Sequence, residues 1–108
     1  PQAAMLAFKQ WIEQVTPPND IPVFVGLNAP FDWSFINYYF HVYVGGNPFG
    51  FSALDIKALF MGRLETSWSE SKSSHMTKVL DVTMTANNKA LKDAIFQANL
   101  FSAVIKFK

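Results

Sequence analysis

Residues 23–35 read Val-Phe-Val-Gly-Leu-Asn-Ala-Pro-Phe-Asp-Trp-Ser-Phe, and this stretch decides the fold. Apolar side chains run up to Gly26, a turn follows at Asn28, and an aromatic-rich helical pattern starts at Pro30. The stretch therefore predicts a buried strand, a tight turn and a helix with Asp32 in its first turn. Because open α/β sheets bind ligands at their strand ends, Asp32 is a site candidate. An acid at this position also stabilises the helix dipole, so both interpretations stay open here.

Helices are predicted on both sides of the turn. Apolar side chains recur every three to four residues in three segments, residues 3–16, 30–43 and 85–105. The predicted core-facing stripe of the second segment is Phe31, Phe35, Tyr38 or Tyr39, and Val42. The predicted stripe of the third segment is Leu91, Ala94 or Ile95, Ala98 and Ile105.

The remaining segments predict an α/β fold with helices packed on a mixed sheet. Residues 22–27 are almost all apolar, which suits a strand covered on both faces. Residues 53–61 predict a short strand that runs into a helix, and Gly62 is expected to end that helix. The Ser-rich segment 64–78 is either a loop or a short helix that carries Trp68 into the core.

Composition limits the size and class of the protein. The 108 residues, half of them hydrophobic, predict one domain over residues 1–108 and exclude disorder as the overall description. A net charge of +1 with no basic cluster gives no general nucleic-acid footprint, and the lack of cysteine excludes disulfides and thiol catalysis. No apolar run is long enough for a membrane span, and no export signal is visible, so we expect an intracellular, cytoplasmic protein with no membrane partner.

Several motifs resemble those of one enzyme family. Residues 26–35 resemble the second motif of the DnaQ-like (DEDDh) 3′–5′ exonucleases, which have an RNase H-like fold: Asn, two residues, Phe-Asp, two residues and a hydrophobe. Residues 90–94, Ala-Leu-Lys-Asp-Ala, resemble the third motif, His-x-Ala-Leu-x-Asp-Ala. Asn47-Pro48-Phe49 and Leu54-Asp55-Ile56 resemble the segments between them, in the same order. The resemblance covers roughly residues 5–101, and ribonuclease T-like and proofreading members are the most similar.

The resemblance implies a metal-dependent hydrolase that removes nucleotides from the 3′ end of single-stranded DNA or RNA. In such enzymes four acids hold two metal ions, Mg²⁺ or Mn²⁺, and a histidine acts as general base. The resemblance makes Asp32 and Asp93 the metal-binding and catalytic acids. It places Asn28, Phe31 and Phe35 on the substrate side of the site, although the helical pattern predicts that Phe31 packs in the core.

Two departures from the family pattern predict an impaired or inactive exonuclease. No Asp-x-Glu occurs in the chain, so two metal acids and the N-terminal strands that carry them are absent from the sequence. Asn88 occupies the general-base position, and a carboxamide does not accept a proton near neutral pH.

The missing strands also leave the fold incomplete at its N-terminal side. Because a single confident strand is marginal in water, we expect the sheet to be completed by residues outside the sequence or by a second copy in a homodimer. A non-catalytic, exonuclease-like binding or assembly module is therefore the alternative function.

Overall fold

The computed structural model describes residues 1–83 and 89–108, which are mostly helical with a small sheet, an α/β arrangement. The chain divides into two compact units. Unit 1 comprises Pro1–Val25 and Ala29–Leu54, and unit 2 comprises Gly26–Asn28 and Asp55–Lys108. The RNase H-like topology and the single exonuclease-like domain over residues 1–108 stay predictions.

The described elements follow the predicted order, except that two short helices lie where the Ser-rich segment was predicted to be a loop or one short helix. They are α1 (Gln2–Val15), β1 (Phe24–Gly26), α2 (Ala29–Tyr43), β2 (Ala53–Asp55), α3 (Ile56–Leu64), a 3-10 helix (Trp68–Ser71), α4 (Ser73–Leu80) and α5 (Ala90–Lys106). The two short strands pair with each other in one parallel sheet. The strand predicted over residues 22–27 is thus shorter than expected, and the strand predicted near residue 53 is confirmed. None of the described helices is both long and apolar enough to cross a membrane.

Unit 1 is held together by aromatic rings around the loop after α2. Met5, Ile12 and Phe40 are buried where α1 packs on α2. Phe49 fits among the rings of Phe8, Phe24, Trp33 and Phe40, with centroid separations of 5.6–6.4 Å.

The loop that carries Phe49 is shaped by an asparagine. The Asn47 side-chain oxygen accepts the backbone N–H of Phe49 at 2.9 Å, and its amide donates to the Asn37 side chain at 3.0 Å. An asparagine that bonds the backbone two residues on closes a local turn. The glycine, asparagine and proline residues of segment 44–52 predict a turn, and the structure confirms it. This turn places Phe49 in the core of unit 1.

Unit 2 buries one side of α5 against α3 and α4. Its fully buried side chains are Ile56, Phe60, Ser71, Met76, Leu100 and Val104. Arg63, in the last turn of α3, donates to the backbone carbonyls of Val104, Ile105 and Phe107 at the end of α5. Because the last carbonyls of a helix have no partner within the helix, the guanidinium caps α5 and ties it to α3.

The predicted core stripe of α2 is wrong. Phe31, Phe35, Tyr38 and Val42 are all exposed, and the prediction that Phe31 packs in the core fails because 64% of its surface is accessible. The buried residues of α2 are Ala29 and Phe40, on the other side of the helix. Both sides carry aromatic residues, so hydrophobic spacing alone did not identify which of them faces the core.

The predicted stripe of α5 is wrong for a similar reason. Leu91, Ile95 and Ile105 are exposed, whereas Leu100 and Val104 are buried. The start predicted for this helix, residue 85, lies outside the described residues, and the described helix starts at Ala90. Helix α5 carries apolar residues on most of its faces, and packing against α3 and α4 decides which face is buried.

Two further expectations in unit 2 are corrected. Helix α3 continues through Gly62 to Leu64 and ends where Glu65 adopts a left-handed conformation with φ of 54°. An intact last turn keeps Arg63 helical, in the position from which it reaches α5. Trp68 begins a 3-10 helix but is 54% exposed, and Ser71 is the buried residue of that helix.

Candidate functional site

Asp32 lies in the first turn of α2, half-buried, in unit 1. The next residue, Trp33, packs its ring against Phe24 of β1 at 5.5 Å and against Phe49 at 6.4 Å. These contacts hold the first turn of α2 against the strand. The carboxylate therefore projects from a fixed helix start, as expected for a residue that serves a site.

The turn before α2 is shaped by Asn28, which has φ of 59°. This left-handed conformation is unfavourable for most residues and tolerable for asparagine, whose short side chain bonds locally. Asn28 is exposed. Its backbone geometry agrees with the expectation that it orders the turn between the strand and the helix.

Gln97 of α5 binds the same turn within unit 2. Its side-chain oxygen accepts the backbone N–H of Leu27 at 2.9 Å. Leu27, the residue after β1, is thus bonded to a side chain 70 positions away in the sequence. This hydrogen bond fixes the position of α5 along the segment that contains Leu27. Sequence reasoning missed Gln97, although a polar residue among the apolar residues of α5 was a usable signal.

Asp93 lies one helical turn before Gln97, in the first turn of α5. Residues four apart share a helix face, so Asp93 projects from the face of α5 that also binds Leu27. Asp93 is exposed, and its backbone N–H donates to the carbonyl of Lys89 at 3.0 Å. Asp93 therefore occupies an accessible helix start.

The remaining predicted site residues have separate outcomes. Asp32 belongs to unit 1 and Asp93 to unit 2, so their convergence on one site stays a prediction. Phe31 and Phe35 form an edge-to-face ring pair at 5.3 Å on the exposed side of α2. Asn88 lies outside the described residues.

The two histidines occupy helices. His41 is exposed in the last turn of α2, in unit 1. His75 lies in α4, with its ring edge-on to Phe60 at 6.3 Å, so the helical alternative for the Ser-rich segment applies at this residue. Packing against a buried ring gives His75 a structural role in unit 2.

Carboxylates are the ligands that Mg²⁺ prefers, and each of Asp32 and Asp93 offers two oxygens. Across residues 1–83 and 89–108, however, no three histidine, aspartate or glutamate side chains are grouped closely enough to hold a metal ion. The described residues by themselves therefore do not fit the two-ion centre that the motifs imply.

Comparison with known proteins identifies a relative. No protein-family model matches the chain. Over 106 residues the chain is 50% identical to a protein of Escherichia coli named 3′-5′ DNA exonuclease Cap18. The match covers 98% of the chain and 57% of the relative, so the chain spans somewhat over half the length of that protein.

Proposed function

We propose that this chain is part of a 3′–5′ exonuclease that degrades DNA. The observation that carries the proposal is the 50% identity over 106 residues to a protein named as a 3′-5′ DNA exonuclease. Motifs resembling the DnaQ-like exonucleases occur in the same aligned length and in the family order. The proposal includes membership of that family and the RNase H-like fold.

Asp32 and Asp93 are the acids of the proposed site. Each lies in the first turn of its helix, Asp32 in α2 and Asp93 in α5, and each matches an acid of the family motifs. We propose that both acids contribute to a Mg²⁺ or Mn²⁺ site whose other ligands lie outside the described residues. Such ions stabilise the charge on attacking and leaving oxygens.

The proposed substrate is the 3′ end of a single strand. Phe31 and Phe35 expose their rings on the helix that carries Asp32, and exposed rings stack on unpaired bases. Asn28 supports the substrate side by holding the turn that precedes this helix. DNA is preferred to RNA in the proposal because the relative is named for DNA.

Asn88 makes the proposed enzyme slow. A general base contributes about 10²–10⁴-fold to the rate of such reactions, and an amide does not supply one. The substitution Asn88→His is therefore expected to raise the cleavage rate by about 10–10³-fold, less than the full contribution of a general base, because the new imidazole is not optimally placed.

The test uses the full protein that contains this chain. It is cleavage of a 5′-labelled, 20-nucleotide single strand in Mg²⁺ or Mn²⁺, with a strand protected by a 3′-phosphorothioate as the substrate that should resist cleavage. Stepwise shortening from the 3′ end that is lost in Asp32→Asn and Asp93→Asn supports the proposal. Asp20→Asn is the matched control, because Asp20 is an exposed acid outside the motifs. Shortening that survives in both variants, or no shortening in wild type and Asn88→His, contradicts it.

A non-catalytic assembly module is the second candidate, and one observation favours it. The exposed side of α2 presents Phe31, Phe35, Tyr38 and Val42 together. Contiguous apolar surface of this kind marks interaction sites. Light scattering tests this second candidate. If the wild-type protein is a homodimer, Phe35→Ser makes it a monomer and neither form cleaves DNA, the assembly module is supported and the exonuclease proposal is rejected.

A further inference from the structure

The charges of the chain are divided unevenly between the two units. Unit 2 carries eight of the nine lysine and arginine residues and five of the eight acids, a net charge of +3. Unit 1 carries the remaining lysine and three acids, a net charge of −2. A basic excess attracts the phosphates of nucleic acids, so unit 2 is the electrostatically favoured half for such a partner.

Trp68 is an exposed ring on a rigid turn of unit 2. The side chains of Ser67 and Glu70 cap the 3-10 helix reciprocally, with the Glu70 carboxylate accepting from the Ser67 backbone N–H at 3.1 Å and hydroxyl at 2.8 Å. The buried Ser71 hydroxyl donates to the carbonyl of Trp68. The backbone is therefore fixed, while 54% of the Trp68 surface remains accessible.

Lys57 stands over this ring. Its ammonium nitrogen lies 4.2 Å from the centroid of the Trp68 ring, a cation–π arrangement. Lys57 itself is in the first turn of α3, where the Asp55 side chain caps the helix by accepting the Ala58 N–H at 3.1 Å. Two fixed helix starts thus hold an ammonium group beside an exposed indole.

We propose that Trp68 and Lys57 form a subsite for single-stranded DNA, in which a base stacks on the part of the indole that Lys57 leaves accessible and the ammonium binds an adjacent phosphate. Single-strand binding proteins combine these two elements, an aromatic platform and a cation that follows the backbone. The Glu70 carboxylate keeps its negative charge, and its hydrogen bonds to Ser67 hold it within the turn. The choice of DNA as the nucleic acid rests on the proposed function. The evidence for a single-strand subsite, the charge distribution and the ring geometry, is independent of that proposal.

The test is binding of a fluorescein-labelled dT12 strand by anisotropy in EDTA, so that cleavage does not interfere. Trp68→Leu is expected to weaken binding by about 5–100-fold, as stacking of one base on an aromatic ring does, and Trp68→Phe to retain most of it. Lys57→Gln is expected to lower the slope of log K against log salt by about 0.7, the value for one phosphate contact. Trp11→Leu is the matched control, because Trp11 is 56% exposed and lies in unit 1.

Circular dichroism of each variant establishes that it is folded. Equal affinities for wild type, Trp68→Leu and Trp11→Leu overturn the subsite, as does a wild type that does not bind dT12. Binding that depends on Trp68, in a protein that never shortens DNA, keeps the subsite and rejects the exonuclease. Metal-dependent shortening with affinity independent of Trp68 rejects only the subsite.

Discussion

Replacing Arg63 with alanine is expected to loosen the end of α5 from α3. The guanidinium Nε donates to the Val104 carbonyl at 3.0 Å in a partly buried contact, and Nη2 donates to the exposed carbonyl of Ile105 at 2.8 Å. A third bond reaches Phe107, one residue beyond the helix. The alanine variant leaves all three carbonyls without this donor.

The magnitude follows from the exposure of each contact. A hydrogen bond to a charged group contributes about 1.5–3 kcal/mol when sheltered, and we take about 1.5 kcal/mol for the partly buried contact. The two exposed contacts add about 0.5 kcal/mol each, and the positive charge at a helix C-terminus about 0.3–1 kcal/mol. Some of this sum overlaps, so Arg63→Ala should lower the free energy of unfolding by about 2–3 kcal/mol.

The assay is urea unfolding followed by far-ultraviolet circular dichroism. With a slope of about 1–2 kcal/mol/M for a protein of this size, the midpoint for Arg63→Ala should fall by about 1–3 M. Arg63→Lys keeps the charge but not the planar donor geometry, so it should recover less than half of the loss. A loss below about 0.5 kcal/mol in Arg63→Ala, or full stability in Arg63→Lys, would refute the capping role.

Three other predictions concern unit 2. Gln97→Leu removes the acceptor of the Leu27 N–H, so it should lower the free energy of unfolding by about 1–3 kcal/mol and speed hydrogen exchange of the Leu27 amide. Gln97→Glu keeps an acceptor and should retain the protection of that amide. Unchanged exchange in Gln97→Leu would count against this contact. Asn28 has φ of 59°, a left-handed conformation that is unfavourable for alanine and free of strain for glycine. In the same urea assay, Asn28→Ala should therefore lower the free energy of unfolding by about 1 kcal/mol and Asn28→Gly by much less. Equal losses in the two variants would argue against a conformational cause. The hydrogen bonds from the Ser67 side chain and backbone hold the pKa of Glu70 below its ordinary value of 4.5. The ionised Glu70 side chain therefore stabilises the folded protein above pH 4.5, and this effect is lost as the pH falls through the lowered pKa. Ser67→Ala should raise the pKa of Glu70 in a carboxyl NMR titration, and no rise would show that Ser67 does not cause the shift.

The central stretch was predictable because its signals are local. Proline, glycine and asparagine restrict the backbone by themselves, so the strand near Phe24, the turn at Asn28 and the helix beyond it could be placed from sequence. The turn after Asn47 was predictable for the same reason. The motifs around Asp32 and Asp93 likewise identified the candidate acids from short runs of residues.

The orientation of the helices was not local information. α2 is aromatic on both sides, and only packing against α1 and the Phe49 loop selected the side with Phe40 and exposed the side with Phe31 and Phe35. The same holds for α5, where contact with α3 and α4 buried Leu100 and left Leu91 73% exposed.

The sequence by itself determined the strand, turn and helix of the central stretch, and its motifs identified Asp32 and Asp93 as candidate acids. The tertiary structure alone decided that Gln97 binds Leu27, that Arg63 caps α5, and that Lys57 lies over Trp68. Each of these contacts joins residues that are far apart in the chain or on separate helices. Backbone propensities act over a few residues, whereas such pairs form only when packing of the apolar faces brings the helices together.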